Sequence, residues 1–156
     1  MQEFNFHFLI HTSHLLEERL RIRLTPLGIH PRQARVLDAL SRMKDASQVT
    51  LAKEFDLSEA SMSTMTARLL EAGLIERHVN QRELRSNVLQ LSKHGETLLK
   101  EIYREWKQID QEISDVIGTT NAMQLTNLTQ QLRNALGGFS PGSPAEERDT
   151  PNTGIK

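Results

Sequence analysis

Ser61, Thr64 and Arg68 stand at i, i+3 and i+7, so on a helix they share one face. Small hydroxyl side chains let a helix backbone approach the floor of a nucleic-acid groove. An arginine beside them can fork onto guanine O6 and N7 or grip a phosphate. Arg82 and Arg85 follow downstream with Glu83 between them. Arginines at a hairpin tip can enter an adjacent minor groove, whose narrow A/T-rich form carries enhanced negative potential. Glu83 is spaced to orient the Arg85 guanidinium through a charge-assisted hydrogen bond. On an isolated helix or loop the same residues would be ordinary solvated side chains, so the surrounding pattern has to decide.

A second constellation lies near the N-terminus. His7, His11, His14 and Glu18 occur at i, i+4, i+7 and i+11, again on one helix face. The plain reading is an exposed or interface polar stripe. A metal site is another, since histidines at i and i+4 can share one ion, but no defined set of further ligands accompanies them. Because histidine titrates near neutrality, a pH response is also open.

Composition bounds what these groups can do. The 156 residues suit one domain and can bury a real core. The formal charge is -1, and residues 44 to 94 carry seven Lys or Arg against seven Asp or Glu. Nucleic-acid binding therefore rests on where charges sit, not on bulk basicity. Aromatic content of 4% leaves few rings for stacking single-stranded bases. The chain has no cysteine, which removes disulfides, thiolate zinc sites, cysteine nucleophiles and thiol redox sensing. No nucleophile motif or phosphate-cradling glycine loop is present, so the chain does not read as an enzyme and implies no cofactor. The N-terminal apolar run is too short for a secretory signal and no stretch approaches a membrane span, which points to the cytoplasm.

The elements that must position the two constellations are legible in order. Residues 4 to about 25 read as a helix carrying Phe8, Leu15, Leu16, Leu20, Ile22 and Leu24, ended by Pro26 and Gly28. Pro31 suits the first turn of a second helix with Ala34, Leu37 and Leu40 on its buried side. A short helix over about 48 to 55, with Leu51, Ala52 and Phe55, precedes a turn at Asp56-Leu57. Ser58 caps the helix from 59 to about 72, whose Met62, Met65, Thr66 and Leu69 should face the preceding helix. Gly73 ends it. Leu74-Ile75 and Val88-Leu89-Leu91 are short strands around the polar run His78 to Asn87. Ser92 opens a long helix with Leu99, Ile102, Trp106, Ile109, Ile113 and Val116 at near-coiled-coil spacing. Gly118-Thr119-Thr120 interrupt it, and Met123, Leu125, Leu128, Leu132 and Leu136 mark a last helix. From Gly137 the composition predicts a disordered tail over 138 to 156. The fold class is mainly α with a small β-hairpin wing: a winged helix-turn-helix over residues 30 to 92, flanked by helices 4 to 25 and 93 to 136 in one domain of residues 1 to 137.

With these elements in order, the chain resembles the MarR family of bacterial transcription regulators over about residues 6 to 136. The resemblance is carried by Leu51-Ala52, by Leu69-x-x-x-Gly73-Leu74-Ile75-x-Arg77, and by Glu83-x-Arg85-x-x-Val88-x-x-Leu91-Ser92-x-x-Gly95. Glu83 replaces the usual wing Asp, Ser92 replaces the usual Thr, and Thr64 stands where many members carry Arg. The resemblance implies a homodimer joined through residues 6 to 25 and 95 to 136, and the stripe from Leu99 to Val116 suggests burial there. It implies a transcription regulator of double-stranded DNA, a repressor reading a pseudo-palindromic operator. It also implies a third reading of the first helix. In relatives that sense phenolic acids this helix faces a cleft, and polar residues matching His11 and His14 hold an aromatic carboxylate. A small organic anion would then release the repressor. Two other functions stay open: a winged-helix protein-interaction module, which the balanced charge favours, and a metal-responsive regulator using the first-helix histidines.

Overall fold

The computed structural model describes residues 4 to 79 and 87 to 144. It runs α1 (Asn5–Leu24), α2 (Pro31–Met43), α3 (Gln48–Glu54), α4 (Glu59–Glu71), β1 (Ile75–Val79), β2 (Asn87–Leu91), α5 (Lys93–Ile117) and α6 (Thr119–Ala135). This is the mainly helical architecture with one antiparallel hairpin that the sequence pattern predicts. Among the described residues no helix is long and apolar enough to cross a membrane.

Local chemistry sets the boundaries. A short 3-10 turn after α1 stops at Gly28, which takes a left-handed φ of 70°. Pro31 opens α2, where His30 Nδ1 accepts from the Arg32 N–H and Gln33 Oε1 accepts from the His30 N–H. The core gathers Leu24, Leu37, Leu40, Leu51, Met62, Leu69, Ile75, Leu89, Leu99 and Ile102, drawn from every element but α6. One continuous apolar centre thus fixes α4 and the hairpin against α2 and the first turns of α5.

Polar links reinforce the long helices. Arg23 of α1 reaches Glu105 at 3.1 Å and also pairs with Glu112, both on α5, while Arg19 reaches Glu112 at 3.3 Å. The hydrogen bond from Arg23 holds the Glu112 carboxyl below the usual carboxylate range. Between α5 and α2, the Tyr103 hydroxyl donates to Asp38 Oδ1 at 2.8 Å, and Arg42 pairs with Asp38 at 2.5 Å. Burial pushes the Tyr103 phenol up from its ordinary value.

Two expectations change and one gains detail. Part of the stripe on α5 is covered by the chain's own helices. Leu99, Ile102 and Ile109 are buried within the chain itself, because α5 lies across α1 and α2; Val116, beyond those helices, is 83% exposed. The strands are longer than the apolar residues imply, pairing from Ile75↔Leu91 to Val79↔Asn87, so the polar His78 pairs with Val88. Ladder bonds use backbone groups, and the outward face of a hairpin tolerates polar side chains. Finally, residues 138 to 144 are not a free tail. Pro141 and Ser143 are buried, and the Gly142 N–H donates to Glu54 Oε2 at 2.8 Å. Residues 145 to 156 lie outside the described set.

Candidate nucleic-acid interface

Two capped helices and a left-handed turn build the helix-turn-helix. Ser47 caps α3 by accepting the Thr50 N–H at 3.1 Å. Asp56 turns the chain with φ of 50°, and the Leu57 N–H closes back onto the Ala52 carbonyl at 2.9 Å. Ser58 then caps α4 through the Ser61 N–H at 3.1 Å. Met62, Thr66 and Leu69 are buried and Met65 is half-buried, so α4 turns to the core the face that its spacing predicts. The Thr66 hydroxyl donates to the Met62 carbonyl at 2.9 Å and lies 3.4 Å from Gln48 Oε1, locking α4 onto α3.

That packing leaves Ser61, Thr64 and Arg68 exposed on the opposite side. The two hydroxyls have local partners in the free chain. Ser58 Oγ donates to Ser61 Oγ at 2.9 Å, and Thr64 Oγ1 donates to the Ala60 carbonyl at 3.1 Å. Each oxygen retains acceptor capacity. Ser63 and Ala67 are exposed on the same helix and were not singled out by the spacing argument. Their small size keeps the helix surface low around Arg68, as close approach to a groove floor requires.

The end of α4, the hairpin and α5 meet at one junction. Gly73 takes φ of 67°, and the Leu74 N–H returns to the Leu69 carbonyl at 3.0 Å. The Ser92 hydroxyl donates to the Gly73 carbonyl at 2.6 Å and accepts the Gly95 N–H at 2.9 Å. A Cβ on Gly95 would stand 2.0 Å from the Leu74 oxygen, which explains the glycine of the Ser92-x-x-Gly95 run. Sequence reasoning missed a further support: Ala46 bridges Leu89, with N–H to carbonyl bonds of 3.1 and 2.8 Å. A single bridged residue has no alternating run to reveal it. The hairpin base is therefore anchored to the α2–α3 connection. Arg82, Glu83 and Arg85 lie outside the described residues; the strands that lead to them are ordered from the junction.

The first-helix histidines are placed differently from a pocket. His7, His11 and His14 are exposed, and Glu18 is taken by Arg21 at 2.6 Å, a hydrogen bond that holds its carboxyl below its ordinary value. The groove between α1, α5 and α6 is lined from α1 by Phe8, Leu9, Thr12, Ser13, Leu16 and others; neither His11 nor His14 contributes to it. Among the described residues no three His, Asp or Glu side chains come together as ion ligands. The structure brings the α4 residues to one face and leaves the two histidines on another, within a single protomer.

The wider comparisons agree with this architecture. The MarR family model matches residues 27 to 86. The reduced form of E. coli MarR superposes with a TM-score of 0.76 at 22% identity, covering 85% of this chain and 98% of that one. A mutant of E. coli MarR complexed with operator DNA gives 0.71 at 22% identity, covering 81% and 91%. A mutant of S. aureus MepR bound to an oligodeoxyribonucleotide gives 0.60 at 22% identity, covering 83% and 97%. The sequence match over residues 27 to 86 takes in the helix-turn-helix, and the fold is shared with E. coli MarR along most of the chain, so this chain is similar to the MarR family in sequence over that stretch and in fold beyond it.

Proposed function

We propose that the chain is a transcription regulator that binds double-stranded DNA through α4 and the hairpin tip. The observation that carries this reading is the outward face of α4: Ser61, Thr64 and Arg68 exposed and low in profile, while Met62, Thr66 and Leu69 fix the helix behind them. Support comes from proteins of similar fold whose structures hold operator DNA or an oligodeoxyribonucleotide. Arg82 and Arg85 are assigned the minor-groove or phosphate contact, with Glu83 as their support.

The finer reading is a cytoplasmic homodimeric repressor. Phe6, Phe8, Leu9, Ile10 and Leu15 of α1 and Met123, Leu128 and Leu132 of α6 are each more than two-fifths exposed, an apolar surface larger than scattered residues produce. A second copy is the occupant that would pair two α4 helices on a pseudo-palindrome. Release by a small organic anion remains part of the proposal. His11 and His14 are its candidates, now on the exposed side of α1, where a dimer partner would have to complete the site. Calorimetry with aromatic carboxylates on the parent and His11→Ala tests that assignment; equal binding removes it. For DNA binding itself, an electrophoretic shift on the duplex upstream of the gene is the test. Balanced charge keeps a protein-interaction module as the rival, and a steep loss of duplex binding with added salt argues against that rival.

A further inference from the structure

The segment after α6 returns across the molecule and is held at both ends. Near α6, the Gly138 N–H donates to the Arg133 carbonyl at 2.9 Å, and Arg133 Nη1 donates to Ser140 Oγ at 2.8 Å. At the far end, the Gly142 N–H donates to Glu54 Oε2, on the last residue of α3. Gly142 adopts φ of 78°, and a Cβ there would lie 3.0 Å from the Ala39 oxygen and 3.3 Å from Met43 Cγ on α2. Pro141 and Ser143 on either side are buried, and the Ser143 N–H closes a turn onto the Ser140 carbonyl at 3.0 Å. A positive-φ glycine seated against helix backbone marks a specific fit, since most residues could not occupy it.

The two bodies joined in this way are otherwise connected mainly through α5. The first turns of α5 enter the core beside α2 and the hairpin through Leu99 and Ile102. Its far end carries α6, which packs on α5 and contributes nothing to that core. A 25-residue helix extends about 37 Å. Along its length α5 is also held by α1, through Arg23 on Glu105 and Glu112 and Arg19 on Glu112, whereas the segment after α6 ties the end of α6 directly to α2 and α3. Ser140 and Pro141 also wall a cavity of about 440 Å³, whose other sides include Leu20, Arg35, Arg42 and Trp106.

We propose that residues 138 to 144 form a strap that sets the angle between the α6 body and the helix-turn-helix, and thereby the spacing at which α4 meets DNA. Its DNA arm rests on the proposed function; its mechanical arm does not. The anchor is the Glu54–Gly142 bond, and regulation would consist of seating or releasing it. The strap is thus a conformational device with two states, and only a seated strap favours the DNA-competent angle.

The test uses the full chain. Because the chain lacks cysteine, Ser63→Cys and Gln124→Cys create the only two attachment points for spin labels, one on α4 and one on α6. Labelled chain is diluted in unlabelled chain, so each measured distance lies within one protomer. The parent is expected to give one narrow distance distribution. Glu54→Ala and, independently, Gly142→Val should broaden or shift it, while Glu54→Gln, which keeps an acceptor oxygen, should retain it. Duplex affinity should fall about five- to tenfold in the two releasing variants, a modest allosteric coupling. Unchanged distances in both variants overturn the strap. Changed distances with unchanged duplex affinity overturn its regulatory role and leave it a structural brace. If the parent binds no duplex, the proposed function falls, and the distances alone judge the strap.

Discussion

Ser92 Oγ donates to the Gly73 carbonyl at 2.6 Å, so the residue that starts α5 is bonded to the residue that ends α4. The same oxygen accepts the Gly95 N–H, and the Ser92 N–H reaches the Leu74 carbonyl at 3.1 Å. One side chain and its backbone therefore fasten α4, the base of the hairpin and α5 together. The start of α5 is thereby tied to the end of α4.

Ser92→Ala removes both bonds of that hydroxyl. The lost cap and the stranded Gly73 carbonyl should cost about 2 kcal/mol, read as a lowered denaturation midpoint. Ser92→Thr keeps the hydroxyl and should restore most of the loss. Equal stability of the alanine and parent chains would remove the junction from the account.

Gly95→Ala places a methyl 2.0 Å from the Leu74 oxygen, too close for a side-chain adjustment to relieve. Destabilisation on the order of 3 kcal/mol is expected, since backbone must shift. Gly28, where a Cβ would meet nothing within 4 Å, supplies the control: its alanine variant suffers only the strain of φ at 70°. Thermal melting of the two variants should rank Gly95→Ala well below Gly28→Ala.

Acid should loosen α1 from α5. Arg23 depresses the folded pKa of Glu112, so the stabilisation is present above the unfolded carboxylate value and is lost as pH falls through the depressed one. Both groups are partly exposed, so the effect is modest and salt-sensitive. Amide exchange in α1, followed from neutrality downward, should quicken across that window. In Glu112→Gln it should start faster and change less with pH; the same acid response in both chains would assign it to another group.

Leu128 on α6 is 64% exposed, and Leu136, just past its end, is 75% exposed. If α6 forms the contact between copies, Leu128→Asp should raise the dimer dissociation constant on the order of 100-fold in sedimentation runs. The monomer should remain folded, because neither residue belongs to the core. A variant that stays dimeric at the parent's concentration would move the interface elsewhere.

How much of this could be read from the residues depended on range. Ser58, Ser92, Pro31 and Gly73 act within a turn of themselves, so their caps and stops were legible, as were the two faces of α4. The Ala46–Leu89 bridge was not, since one residue carries no period. Residues 138 to 144 read as part of a disordered tail because their Gly, Pro and Ser content suits disorder equally well. What orders them is Glu54, Ala39 and Met43, roughly 90 to 100 positions away in the chain. The α5 stripe reads as buried, and the chain's own helices cover Leu99, Ile102 and Ile109, a cover that periodicity cannot name because it marks a face and not its partner. The histidine stripe shared a face as spaced, yet that face turned away from the groove between α1, α5 and α6.

The central claim is that the exposed face of α4 reads duplex DNA, and Arg68 tests it most directly. Selection from a random duplex pool would supply the site, and fluorescence anisotropy across a salt series would measure the parent, Arg68→Ala and Arg85→Ala. The account predicts a parent affinity that falls steeply with salt, a loss of about tenfold in each variant, a shallower salt slope and an unchanged melting temperature. Arg68→Ala binding the selected duplex as tightly as the parent, with the same slope, would contradict it.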